Sequence, residues 1–184
     1  MPKNNLNFSF VDLFSGIGGF HIGLKEAGGH SIGFSEIDSK AIDVYKNNFI
    51  RSKKSVDKSL GSVTEIGKIN PRPDVITGGV PCQPWSVAGK NQGFDDPRGM
   101  LWSDVVRIVN TNKPKVFIFE NVKALLNVDN GTAWKTVYNR FQKTGYTIYH
   151  ELLNAKNYGM PQNRERLFVV GFKNDRTFSF PKPI

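Results

Sequence analysis

The chain has 184 residues, 39% of them hydrophobic, which suits one domain with a core of its own. Its single cysteine excludes an internal disulfide framework and a cysteine-based zinc site, and no apolar run nears the ~18 residues that cross a membrane. Lys and Arg outnumber Asp and Glu by 25 to 16, and the resulting charge of +9 favours a polyanionic partner such as nucleic acid.

The opening MPKNNLNFSF lacks the apolar segment of a secretory signal, so a cytoplasmic chain with a free thiol is expected. FSFVDLF (8–14) reads as a buried strand and GFHIGLKEAG (19–28) as a helix stopped by glycine. SIGFSEI (31–37) reads as a second strand and SKAIDVYKNNF (39–49) as a second helix. Residues 51–73 are polar and carry no clear period. DVITGG (74–79) is a strand running into the loop GGVPCQPWSVAGKNQGF (78–94), which holds the lone cysteine, Cys82. MLWSDVVRIVNT (100–111) has helical spacing, and KVFIFENV (115–122) is the most apolar strand. TAWKTVYNRFQKTG (132–145) reads as a helix ended by Gly145, and TIYHELLNA (147–155) and RLFVVGF (166–172) as closing strands. This alternation predicts an α/β domain with a mostly parallel sheet and helices on both faces.

In such sheets ligands bind beyond the carboxyl ends of the strands. Four predicted strand ends carry unusual chemistry. DLFSGIGGF offers Gly16, Gly18 and Gly19 but has His21 where the dinucleotide fingerprint needs its third glycine, which argues against NAD. A glycine turn still admits a ligand to the backbone, and Glu36, 20 residues after Gly16, can hold ribose hydroxyls; together they suggest a nucleoside without a pyrophosphate. Cys82, flanked by Pro81 and Pro84, suits a reactive thiol better than a buried apolar one, and none of the three histidines falls beside it as a hydrolase base. Glu120 ends an apolar strand on the Cys82 edge if the strands are parallel; there it could hold a proton to near neutral pH, or simply cap a helix. In QNRERLFVVGF, Arg164 and Arg166 share one face of an extended chain with Glu165 on the other, which allows a clamp for phosphate or carbonyl, or plain solvated charge. No His, Asp and Glu spacing reads as a metal site.

These segments resemble, in order and over residues 8–172, the DNA (cytosine-5) methyltransferases of bacterial restriction–modification systems. DLFSGIGGF is similar to that family's cofactor loop, GGVPCQPWS to its Pro-Cys nucleophile motif, ENV to its catalytic-glutamate motif, and QNRERLFVVGF to its Gln-x-Arg-x-Arg motif. NQGFDDPRGMLWSDVVRI is similar to its mobile loop and the helix after it. The resemblance implies a Rossmann-like S-adenosylmethionine-dependent fold and methyl transfer to C5 of cytosine in double-stranded DNA. Cys82 would add to C6, Glu120 would bond N3 and the exocyclic amine, Arg166 the O2 carbonyl, and Arg164 would support it. The target base would be flipped out of the duplex, with residues 89–99 closing over it and Lys90 and Arg98 meeting phosphate. The cofactor would lie against Phe14, Gly16, Gly18, Gly19, Glu36, Ile37, Val63, Pro81 and Leu101. Ser62 stands where the family usually has an Asp for the adenine amine, and a hydroxyl accepts that bond more weakly. A relative of the family uses the same motifs on tRNA, and a catalytically silent fragment that binds DNA or a partner is a competing reading. The resemblance implies that the 1–184 span is the catalytic part alone, without the family's target-recognition region and C-terminal motifs. One subunit of a split enzyme whose second polypeptide carries them, a truncated product and a fragment are the open alternatives, and alone it is expected to bind cofactor weakly and methylate little or nothing.

Overall fold

A computed structural model of the chain describes residues 6–50, 57–81 and 101–184. The expected thiol Cys82 and the lid residues, Lys90 and Arg98 among them, lie outside that set.

Short runs form the strands β1 (Phe8–Leu13), β2 (Gly29–Ser35), β3 (Lys58–Ser59), β4 (Val75–Gly79), β5 (Val116–Val122), β6 (Thr147–Asn154) and β7 (Glu165–Phe172), most of them carrying Phe, Val or Ile, whereas β3 is two exposed polar residues. Between them stand α1 (Gly19–Glu26), α2 (Ser39–Phe49), α3 (Leu101–Asn112) and α4 (Thr132–Gln142). The strands make one sheet in the order β3-β2-β1-β4-β5-β7-β6. β1, β2, β3, β4 and β5 are mutually parallel, and β7 runs antiparallel to both β5 and β6. The fold class read from the sequence holds, with β7 as the one reversed strand among the described residues.

The two faces are covered by different helices because side chains alternate along each strand. Val11 and Leu13 of β1 and Phe117 and Phe119 of β5 join the core with Trp102, Val105, Ile108 and Val109 of α3 and Val137 and Phe141 of α4. Phe117 stacks on Phe141 at 4.6 Å between ring centroids, and Trp102 meets Phe119 edge-on. On the other face Phe10 meets His21 of α1, and Phe34 stacks on Tyr45 of α2 at 4.1 Å. Burying side chains of this size contributes about 1.5–3 kcal/mol each.

Glycines stop the helices where expected. Gly28 and Gly145 take φ of 93° and 80°, a backbone region that L side chains rarely adopt. The polar stretch without a period proves to be a wall of the core. Its Lys58–Ser59 pairs with Gly33 and Phe34 at the sheet edge, and Val63, Ile66 and Ile69 are buried among the α3 residues.

The order reverses between β1, which crosses over to β2 on one side, and β4 on the other. That switch point leaves a crevice beyond the carboxyl ends of β1 and β4.

Candidate active site

The turn after β1 is built around two unusual backbone positions. Phe14 has φ of 52°, uncommon for a bulky residue, and Gly16 has the same value. Ser15 N–H donates to the Ser35 carbonyl at 3.0 Å, which ties the turn to the end of β2. The three glycines differ in purpose. A Cβ on Gly16 or Gly19 would meet open space, whereas one on Gly18 would sit 2.2 Å from the Phe49 ring. Gly18 is thus required by packing as well as by its φ of 97°.

β2 ends at Ser35, one residue before Glu36. The Glu36 carboxylate accepts from Gly16 N–H at 2.9 Å on one oxygen, and from Ile37 N–H at 2.7 Å and Asp38 N–H at 3.0 Å on the other. One carboxylate therefore joins the β1 and β2 turns, and its lone pairs are not exhausted. Asp38 caps α2 by accepting from Ala41 N–H at 2.8 Å.

These turns open on a cavity of about 300 Å³ lined by Phe14, Glu36, Ile37, Val63, Pro81 and Leu101, with Ser35, Ser62 and Gly79 completing it. Seven of the ten positions assigned from the sequence to a cofactor thus share one cavity. Gly16 is linked to it through Glu36. Gly18 and Gly19 are not in its lining; Gly18 packs toward Phe49, and Gly19 faces a neighbouring opening with Glu120 and Phe168. Ile37 is 78% exposed at the rim, an apolar surface with nothing packed on it among the described residues. Glu36 is the sole charged residue among those lining the cavity, so a pyrophosphate would find no counter-charge in the lining.

Ser62 is already engaged: its Oγ accepts from Thr64 N–H at 3.3 Å and shares a proton with Thr64 Oγ1 at 2.8 Å. Ser35 Oγ donates to the Gly61 carbonyl at 2.6 Å and fixes this wall to β2. From the other side Arg107 of α3 donates to the carbonyls of Ile66 at 2.5 Å and Val63 at 2.9 Å. Asn112 accepts from Ile69 N–H at 2.7 Å and donates to the Gly67 carbonyl at 3.0 Å. Arg107 and Asn112 escaped the sequence reading because nothing in a helical pattern marks a polar residue as a rivet for another segment, and Ser35 and Gly79 because strand periods do not say which strand ends share a cavity.

Gly79 pairs with Glu120 across parallel strands, so the carboxylate stands at the head of the Cys82 loop. Val80 N–H donates to the Glu120 carbonyl at 3.2 Å, and Asn121 Nδ2 donates to the Val80 carbonyl at 3.2 Å. A Cβ on Gly79 would lie 3.5 Å from Glu120 Oε2, which keeps the cavity and the carboxylate in contact. Glu120 is not alone at this rim. Arg166 Nε meets its Oε1 at 2.8 Å and Arg164 Nη2 reaches the same oxygen at 3.4 Å. Both arginines share the Glu120 side of β7, as their spacing predicts, and Glu165 turns away to Lys123 Nζ at 3.1 Å. Oε2 of Glu120 is left free of both arginines.

Behind the turn, Asp12 is 1% exposed and accepts from Thr77 Oγ1 at 3.0 Å. Burial pushes its carboxyl up to about 7, helped by the negative charges of Asp57 and Glu36 and opposed by the Thr77 bond and the His21 N–H. His21 lies under α1, stacked on Phe49, with Nδ1 2.7 Å from Tyr45 Oη, and burial holds it down at about 4.

The chain matches the C-5 cytosine-specific DNA methylase family over residues 8–183. It belongs to that family. This methylase chain is 48% identical to the type II methyltransferase M.HgiCII of Herpetosiphon aurantiacus over 178 residues, 95% of this chain and 40% of that one. It is 40% identical to M.HhaI of Haemophilus parahaemolyticus over 98% of this chain and 55% of that one. The methylase chain thus spans about half the length of the curated relatives it matches. Among solved structures, a Dnmt2 methyltransferase of Spodoptera frugiperda superposes with a TM-score of 0.72 at 25% identity, over 95% of this chain and 53% of that one. A methyltransferase of Entamoeba histolytica superposes with a TM-score of 0.75 at 21% identity, a likeness of fold, over 97% of this chain and 57% of that one. Among the described residues no helix is long and apolar enough to cross a membrane, and no cluster of His, Cys, Asp and Glu could hold a metal ion.

Proposed function

We propose that this chain carries the catalytic machinery that methylates C5 of a flipped-out cytosine in duplex DNA, with S-adenosylmethionine as the methyl donor. The observation that carries the reading is the adjacency at the switch point: a cavity with one acid and apolar walls borders the Glu120–Arg166 pair at the head of the Cys82 loop.

The cavity fits the donor by its chemistry. Phe14, Ile37, Pro81 and Leu101 offer apolar surface to an adenine, and Glu36 keeps acceptor capacity for ribose hydroxyls. A lining whose one charge is negative suits a sulfonium and disfavours phosphates. When bound, S-adenosylmethionine supplies an electrophilic methyl group.

The residues divide the remaining work. C5 of cytosine is a poor nucleophile until the Cys82 thiolate adds to C6 and makes it enamine-like. Glu120 bonds N3 and the exocyclic amine, holding the charge that builds in the ring. Arg166 both orients Glu120 and bonds the O2 carbonyl, and Arg164 supports it from the second position. After methyl transfer a base, water included, takes the C5 proton, its electron pair re-forms the C5–C6 double bond, and Cys82 leaves C6 as the thiolate that attacked. Inside a stacked duplex C6 cannot be reached, so the base must turn out.

The exposed Ile37 gives a test that leaves the fold alone. Ile37→Ser should weaken S-adenosylmethionine binding about 10-fold by calorimetry, the worth of one half-covered aliphatic side chain, with an unchanged melting temperature. Equal affinity in the two proteins would remove the cofactor from this cavity. The same residue roles serve a cytosine in tRNA, so labelled methyl donor is offered with duplex DNA and with tRNA in parallel.

A further inference from the structure

The amino edge of the sheet, opposite the candidate active site, holds a groove of about 520 Å³. Three segments far apart in sequence meet there: Arg72 before β4, Lys115 and Val116 at the start of β5, and Phe172 at the end of β7 with Lys173 and Arg176 after it. Lys115 spans to Asp74 at 2.8 Å, and Arg72 donates to the Lys113 carbonyl. Lys173 and Arg176 have no side-chain partner among the described residues, and both are exposed. The chain after β7 is held in place at this spot, because Tyr149 Oη donates to the Arg176 carbonyl at 2.6 Å and Lys173 N–H donates to the Lys115 carbonyl at 3.0 Å.

We propose that this groove binds the phosphodiester backbone of nucleic acid as a second contact site, separate from the carboxyl edge. Lys173, Arg176 and Arg72, with Lys115 shared with Asp74, line one open groove, and a row of cations suits a ligand that repeats its charge along its length. Guanidinium groups match phosphate oxygens two at a time, and the half-buried Val116 and Phe172 offer an apolar floor to a sugar. Val116 and Glu120 lie on the same strand, about 13 Å apart at ~3.3 Å per residue. A duplex engaged at Glu120 therefore reaches the groove only with a bent or flanking segment, which would lengthen the footprint without reading bases. The groove rests on the nucleic-acid reading above, and its readout is binding, so it can fail while that reading stands.

The test is the salt dependence of binding to a short duplex made only of A·T pairs, which offers no cytosine to the active site. The parent is compared with Lys173→Gln/Arg176→Gln, and with Lys40→Gln/Lys46→Gln on α2 as a charge-matched control. The groove variant should lower the slope of log K against log salt by about 1.8, roughly 0.9 for each phosphate that is no longer neutralised, while the control keeps the parental slope and both bind S-adenosylmethionine as the parent does. A parental slope in the groove variant, or an equal drop in the control, would overturn the proposal. So would displacement of the duplex by an acidic peptide of matched charge, which would assign the groove to a protein partner.

Discussion

At the scale of single residues the site rests on carboxylates in different settings. Glu120 shares one oxygen with two guanidiniums and keeps the other toward Gly79. Glu120→Gln retains the shape and loses the charge, so methyl transfer should fall by about 10²–10⁴ while the melting temperature moves little. Unchanged turnover would return Glu120 to a purely structural pairing with Arg166. Asp12 is the opposite case, a buried acid whose folded carboxyl titrates near 7 against an ordinary value of 3.8. Between those values the unfolded chain has lost its proton and the folded one has kept it, so this group makes stability fall as pH rises from about 4 to 7. His21 works the other way. Its folded value of about 4 lies below the ordinary 6.5, so stability rises over that window as the unfolded chain gives up the proton it binds there. The two slopes oppose each other, and removing one exposes the other. Asp12→Asn should be more stable than the parent at pH 8, by on the order of 2 kcal/mol, with the gain vanishing near pH 4 in denaturant titrations. A pH-independent difference would mean that Asp12 is not the titrating group. The spacing of Arg164 and Arg166 on one side of β7 was legible from a period of two. The pairing of Glu120 with both was not, since it depends on β7 running antiparallel beside β5.

At the scale of elements, the wall of the cavity shows where pattern reading stops. Residues 57–69 have no period because they form neither a full strand nor a helix; they lie on α3 as a loop that buries Val63, Ile66 and Ile69. Arg107 and Asn112 hold that loop through its carbonyls and one N–H, bonds that no local sequence signal announces. Asn112 is 3% exposed, so Asn112→Leu leaves the Ile69 N–H and the Gly67 carbonyl without partners in an apolar setting. That change should cost about 2–4 kcal/mol in chemical denaturation and should also weaken S-adenosylmethionine binding, because Val63 stands on the same loop. Reduced stability with unaltered cofactor affinity would separate the loop from the cavity. The helices and the longer strands, in contrast, were readable because their apolar periods and glycine stops agree, as at Gly28 and Gly145.

At the scale of the whole molecule, the alternation of strands and helices predicted the parallel sheet, and the parallel sheet brought the four unusual strand ends to one edge. Topology then decided which ends share a cavity: β1 and β4 flank the switch point, and β5 carries Glu120 next to Gly79. Order within the sheet is set by long-range pairing, which single-sequence periods do not encode. The proposed function requires the loop leaving β4 to deliver the Cys82 thiol to cytosine at this edge. That delivery is read from the mass of the protein after incubation with S-adenosylmethionine and a duplex carrying 5-fluorocytosine, which traps the covalent intermediate because fluorine at C5 cannot leave as the proton does. A stable adduct is expected on the peptide containing Cys82 and none from Cys82→Ser, with cofactor affinity equal in the two. An adduct that survives Cys82→Ser, or none from a parent shown to bind both cofactor and duplex, would rule out Cys82 as the nucleophile.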